Sequence, residues 1–237
     1  MKRHLIIINT YNKPVELNKT ITSINQNLPK ADICIISKGN ETRKKIKERI
    51  NFFYKVKNIG RESQGYIWAF LKYPNYEIYT FLQDEPKELY GEYYGNKIKI
   101  AEKLILMKKS DFITGMKKKI CDNRGYPQKK DEINLIYLRK LFKLPYSKYN
   151  IFAPGACFTI KGDILRNNKE RFIFIIKNLE KYPKFAWEME RIWMGLSKNP
   201  FLIFKGKVNP IKNISLWESI ITEKDILKKK IKEKILK

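Results

Sequence analysis

The chain has 237 residues, 43% of them hydrophobic and 13% aromatic, and its 50 Lys and Arg against 24 Asp and Glu give a net charge of +26. This composition excludes a disordered chain, because it supplies enough apolar surface for a core, and the length suits one α/β domain. The charge points to anionic partners (nucleic acid, anionic lipid, phosphorylated small molecules) or to a lysine-rich solvated surface, and does not choose among them.

The first apolar run, Leu5 to Ile8, is shorter than the roughly 7–15 residues of a signal-peptide core, and with Asn9 it reads as a buried strand. A polar turn, Thr10 to Pro14, leads to a helix through about Asn25, and Ile33–Ser37 is a second strand ending at Lys38-Gly39-Asn40. Glu41–Ile50 is charged and helical in character, Phe52–Val56 is a short strand, and Asn58-Ile59-Gly60 turns into an aromatic-rich helix from Arg61 to about Leu71. The next strand, Ile78–Leu82, stops abruptly at Gln83-Asp84-Glu85-Pro86.

Beyond it, Lys97–Lys108 is helical, Cys121–Lys130 is a loop, and Phe152–Ile160 is a strand-like run interrupted at Pro154-Gly155. Lys161–Glu180 is expected as one long helix, followed by the segment Trp187–Leu196. Short apolar strands alternating with helices predict βαβ units, hence an α/β fold with an open, mostly parallel sheet flanked by helices. One domain is expected over residues 1–221, with a basic helix over 222–237. That tail can lay its apolar stripe on anionic lipid or pack it on the domain. No stretch approaches the roughly 18 apolar residues of a membrane span. The three cysteines, Cys34, Cys121 and Cys157, lie far apart without C-x-x-C spacing, so the cytoplasm is the expected compartment, with peripheral contact with an anionic membrane left open.

Ligands of open α/β sheets sit beyond the carboxyl ends of the strands. Asp84-Glu85 at such an end suits a divalent cation shared with a diphosphate, or caps the next turn. Asn58–Phe70 offers a glycine, a helix N-terminus and Arg61 to an anion, or is an ordinary helix start with its aromatics in the core; neither a G-x-G-x-x-G nor a P-loop pattern is present. In Trp187–Trp193, Glu188, Glu190 and Arg191 stand among aromatics, as a general base does, or as a buried ion pair does. A single histidine, His4, leaves little material for a catalytic triad or a histidine metal site.

Taken in order, these pieces resemble GT-A-type glycosyltransferases. A closer resemblance is to a glycosyltransferase-like family carrying N-x-G-R-E, F-L-Q, G-A-x-F and E-R-x-W motifs, here Asn58–Glu62, Phe81–Gln83, Gly155–Phe158 and Glu190–Trp193. The resemblance implies a GT-A-like fold and sugar transfer from a nucleotide-sugar donor to a glycan or lipid-linked acceptor. On it, Thr10, Tyr11, Asn12, Asn58, Gly60, Arg61, Gln83 and Asp84 bind the donor. Glu85 and Asp84 hold Mg²⁺ or Mn²⁺, with Gln83 standing where an aspartate is usual. Glu190, then Glu188, serves as base, and Gly155, Ala156 and Trp187 shape the acceptor pocket. Rival readings are a nucleic-acid-binding protein or nuclease, and an inactive GT-A-like binding protein. No nucleic-acid module is recognisable, so no specific nucleic-acid partner is expected.

Overall fold

The structure, a computed structural model, describes residues 2–84, 94–115, 119–124, 134–145, 147, 149–204 and 207–210. Glu85, the basic tail 222–237 and most of the expected 121–130 loop lie outside the described residues.

The first half alternates as expected: β1 (Lys2–Thr10), α1 (Pro14–Asn27), β2 (Asp32–Ser37), β3 (Phe52–Lys55), α2 (Arg61–Lys72), β4 (Tyr76–Gln83) and α3 (Tyr94–Leu106). The second half adds β5 (Phe112–Thr114), β6 (Lys119–Asp122), α4 (Leu135–Leu141), β7 (Tyr149–Phe152), β8 (Phe158–Lys161), α5 (Gly162–Arg166), α6 (Lys169–Asn178), α7 (Phe185–Ile192), β9 (Pro200–Phe204) and β10 (Lys207–Pro210).

Eight strands form one sheet in the order β10-β9-β5-β8-β4-β1-β2-β3, while β6 and β7 pair separately. β1 runs parallel to β2 and β4, β2 to β3, and β5 to β9; β8 is antiparallel to β4 and β5, and β10 to β9. Six of the eight strands therefore run the same way, and the expected open, mostly parallel sheet is what forms. β1 lies between β2 and β4, and Leu5, Ile6, Ile7 and Ile8 are all fully buried. A strand covered on both faces needs a continuous apolar run in place of alternation, which is why Leu5-Ile6-Ile7-Ile8 sits at the centre. α1 buries Leu17, Thr20, Ile21 and Ile24 at helical spacing and packs beside α3, whereas α2 packs on α6 and α7.

Three expectations need correction. Glu41–Ile50 is not a helix; only a 3₁₀ turn, Arg43–Lys45, forms. With Ile46 the one fully buried apolar side chain of the segment, no helical face is held, and the backbone is tied to α1 by Asn18, which donates to the Lys45 carbonyl and accepts from Lys47 N–H. The long helix of 161–180 is two, α5 and α6, separated at Asn167-Asn168, because Asn168 closes on the preceding helix through its side chain to the Ile164 carbonyl. Phe152–Ile160 is divided between two sheets: β7 pairs with β6, β8 enters the main sheet, and residues 119–122 of β6 take in the start of the expected loop.

Candidate active site

The carboxyl ends of β1, β2 and β4 and the start of α2 enclose a cleft of about 230 Å³. β1 contributes Asn9, Thr10 and Tyr11, the turn after β2 contributes Lys38, the entry to α2 contributes Asn58, Arg61 and Glu62, and β4 contributes Gln83 and Asp84. Six of the expected donor-side residues thus converge: Thr10, Tyr11, Asn58, Arg61, Gln83 and Asp84. Asn12 and Gly60 stand behind the wall. Asn12 Oδ1 accepts from Asn40 N–H at 2.8 Å, joining the loops after β1 and β2. A Cβ on Gly60 would come within 2.7 Å of Leu179, so glycine lets the turn close against α6's end.

The wall is held by hydrogen bonds between strand ends. Asp84 Oδ2 accepts from Thr10 Oγ1 at 3.0 Å and from Tyr11 N–H at 2.9 Å, and its carbonyl accepts from Thr20 Oγ1. Glu41, 2% exposed, accepts from Thr10 Oγ1, Lys13 N–H and Ser37 Oγ. Thr10 has one hydroxyl proton and two carboxylate oxygens within reach, so it serves Glu41 and Asp84 in turn. Burial pushes the Glu41 carboxyl up, but its own and the Lys13 backbone N–H groups with the Ser37 and Thr10 hydroxyls outweigh it, and the net pKa is lowered.

Two cations face the cleft. Lys38 Nζ donates to Gln64 Oε1 at 3.1 Å, and the same oxygen accepts from the Ile59 and Gly60 N–H groups. Burial pulls the Lys38 amine down to about 8, against the pull of neighbouring Glu62. The Arg61 guanidinium lies 5.1 Å above the Trp187 ring of α7. Its backbone has φ 45°, in the left-handed region that side chains avoid. The other described non-glycine residues with positive φ are Asn12, Ala156, Lys108 and Lys143, the last two just past the ends of α3 and α4. Among the described residues, positive φ away from helix ends thus occurs at Arg61 in the cleft, at Asn12 behind its wall and in the turn Pro154–Ala156.

That turn, Pro154–Ala156, places Gly155 at φ 77° and Ala156 at φ 49°. Glu190 holds it: Oε1 accepts from Gly155 N–H at 2.5 Å, while Oε2 pairs with Arg191 at 3.0 Å. Glu188, 5% exposed, accepts from Asn134 N–H at the start of α4, and burial raises its pKa against that bond and the charges of Lys184 and Arg191. Neither glutamate lines the cleft. All three cysteines are buried and outside any disulfide, with thiols pushed up to about 12 by burial, so none is set up as a nucleophile.

The four motifs meet in space. Phe81 of F-L-Q, Phe158 of G-A-x-F and Trp193 of E-R-x-W pack on one another, with ring centroids 5.0, 5.3 and 5.8 Å apart. Above them, N-x-G-R-E and F-L-Q supply one cleft, and G-A-x-F and E-R-x-W share the Gly155–Glu190 bond. Lys38, Glu41 and Glu62 were not among the site residues read from sequence. Lys38 and Glu41 sit in the polar turn after β2, a position that the strand-end rule singles out as it does Thr10 and Asp84.

Among the described residues no three His, Cys, Asp or Glu side chains gather as a metal cage. Mg²⁺ is commonly held by one or two carboxylates with the remainder from phosphate and water, and Asp84, with Gln83 and Glu62 in the same cleft, fits that kind of site. Among the described residues no helix is long and apolar enough to cross a membrane.

No protein-family model matches the chain, and no curated protein matches it in sequence. Its fold is similar to a cytidylyltransferase from Leptospira borgpetersenii serovar Hardjo-bovis (14% identity, 77% of this chain and 74% of that one, TM-score 0.41). A CMP:2-keto-3-deoxy-manno-octonic acid synthetase complexed with CTP is similar at 10% identity over 96% of this chain and 99% of that one, TM-score 0.47. Likeness at this level carries no argument about chemistry; the functional reading rests on the cleft and its motifs.

Proposed function

We propose that the chain is a nucleotide-sugar-dependent glycosyltransferase whose donor lies in the cleft beyond β1, β2 and β4. The observation that supports this most is convergence: N-x-G-R-E and F-L-Q, apart in sequence, supply Asn58, Arg61, Glu62 and Gln83 to one cleft that also holds a second cation, Lys38.

In this reading Thr10 and Tyr11 border the nucleoside, the Gln83 amide hydrogen-bonds the ribose, and Arg61 and Lys38 neutralise charge on the leaving diphosphate. Lys38 would exchange Gln64 for a phosphate oxygen. The cleft is smaller than the roughly 300–1,000 Å³ of complete ligand sites, and so receives part of the donor. Asp84, with Glu85 beside it in sequence, would hold a Mg²⁺ or Mn²⁺ ion, which when bound adds positive charge at the diphosphate. Glu190 is assigned as the base for the acceptor hydroxyl in preference to the more deeply buried Glu188, and its pairing with Arg191 holds its carboxyl group beside the Gly155 turn. Gly155, Ala156 and Trp187 shape the side on which a glycan or lipid-linked acceptor enters.

The test is a melting-temperature screen against UDP, GDP, CMP, CTP and their sugars, with and without Mn²⁺. Stabilisation by a nucleoside diphosphate and its sugar, lost in Arg61→Met, is expected. No shift with any nucleotide would remove the reading, and formation of a CMP-sugar from CTP would replace glycosyl transfer by nucleotidyl transfer.

A further inference from the structure

Away from the cleft, α4, α6 and the segment leading into α7 bring together aromatic rings that remain open to solvent. Tyr137 and Tyr182 are 47% and 46% exposed, Phe174 is also exposed, and Ile136 beside Tyr137 is 52% exposed. They gather round Phe185: Tyr137 stacks on it at 5.9 Å with the rings 3° from parallel, Tyr182 lies at 5.5 Å and Phe174 at 6.4 Å.

Exposed lysines rim the cluster. Lys140 and Lys177 follow Tyr137 and Phe174 by three helical positions, Lys181 sits 5.4 Å over the Tyr182 ring, and Lys184 precedes Phe185. Two exposed acidic residues stand on these elements: Glu180, which pairs with Lys57, and Glu170, one helical turn before Phe174. We propose that this lysine-rimmed aromatic patch is a docking surface for an anionic lipid bilayer.

Charge complementarity narrows the partner to an anion, and the rings narrow it further. Single-stranded nucleic acids bind on open ring faces, and here Tyr137 and Phe185 turn their faces to each other. Ile136 has no ring at all. A cluster of mutually packed rings with an aliphatic neighbour suits the membrane interface, where Tyr and apolar side chains insert and lysines meet headgroups. α7 carries Phe185 in the patch and Trp187 beneath Arg61, so one helix joins this surface to the cleft wall. The surface stands independently of the nucleotide-sugar reading.

The test is flotation of the full chain with vesicles of phosphatidylcholine alone and of phosphatidylcholine mixed with phosphatidylglycerol. Binding only to the anionic vesicles, weakening as salt rises, is expected. Tyr137→Ser with Tyr182→Ser should lower vesicle affinity about tenfold at an unchanged melting temperature. Lys177→Gln and Lys181→Gln should each cost about fivefold, and they provide the test if the ring variant misfolds. Vesicle binding indifferent to both sets of variants would assign the contact elsewhere in the chain and overturn the proposal. So would the absence of vesicle binding, or ring-dependent binding of a single-stranded RNA in its place.

Discussion

Glu41 in the first half of the chain and Glu188 in the second are both closed off from solvent, yet their pKa values move in opposite directions. Burial pushes both up. Glu41 meets two backbone N–H groups and two hydroxyls and ends below the usual carboxylate range, while Glu188 meets one N–H and ends above it. The donors at Glu41 outweigh its burial, whereas heavier desolvation outweighs the one donor at Glu188. The carboxylates at the ends of β1, β2 and β4 are thus held by a dense network, although the buried Oδ1 of Asn9 in the cleft wall lacks a partner. The side of Glu188, Glu190 and Arg191 is sparser, with the buried Arg191 Nε lacking a hydrogen-bond partner.

This contrast divides the expected effects. The largest belongs to Glu190→Gln, which keeps an oxygen for the Gly155 N–H but loses its basicity: kcat should fall about 100-fold or more with donor affinity unchanged. A stability loss with kcat intact would make Glu190 a positioning residue for the turn. Arg61→Met should act on the other side, weakening nucleoside diphosphate binding by about 100-fold in calorimetry. If both variants alter the same kinetic constant, the division of labour is wrong.

Next comes stability. Glu41→Ala strands the Lys13 N–H and removes one of the acceptors of the Thr10 and Ser37 hydroxyls, and should cost about 2 kcal/mol in urea unfolding at pH 7. Because the folded pKa of Glu41 lies below its ordinary 4.5, that contribution is complete above pH 4.5 and is lost as pH falls through the folded value, so parent and variant should converge in acid. Glu188→Gln should show the reverse trend, since a raised pKa penalises the ionised form above it: the variant should compare best with the parent at pH 7. Equal pH slopes in both would break the comparison.

The smallest effect is that of Lys38. With its amine at about 8, an anion in the cleft must draw a proton onto it at higher pH, so diphosphate affinity should decline about tenfold by pH 9. Lys38→Met should bind more weakly at pH 7 and lose that slope.

Much of the cleft was legible because its information is local. A run such as Leu5–Asn9 or Ile78–Gln83 names both a buried strand and the polar residues at its end, and the strand-end rule brings Thr10, Arg61 and Asp84 together without knowledge of the rest. What lay beyond sequence was non-local. The 41–50 segment has helical composition, yet it is held along α1 by Asn18, a partner far away in the chain. Residues 152–160 look like one strand because nothing in their pattern says that β7 belongs with β6. Glu190 was read as reactive from its aromatic surroundings, whereas its bond to Gly155 depends on a turn 35 residues away.

The left-handed backbone of Arg61 bears on how this protein would change under selection. A glycine there would relieve about 1–2 kcal/mol of steric cost, so a library screened for heat resistance alone should accumulate Gly at position 61. The same survivors would lose the guanidinium from the cleft. Durability and donor recognition are then opposed at a single residue, and a thermostable descendant that keeps arginine would have found its stability elsewhere.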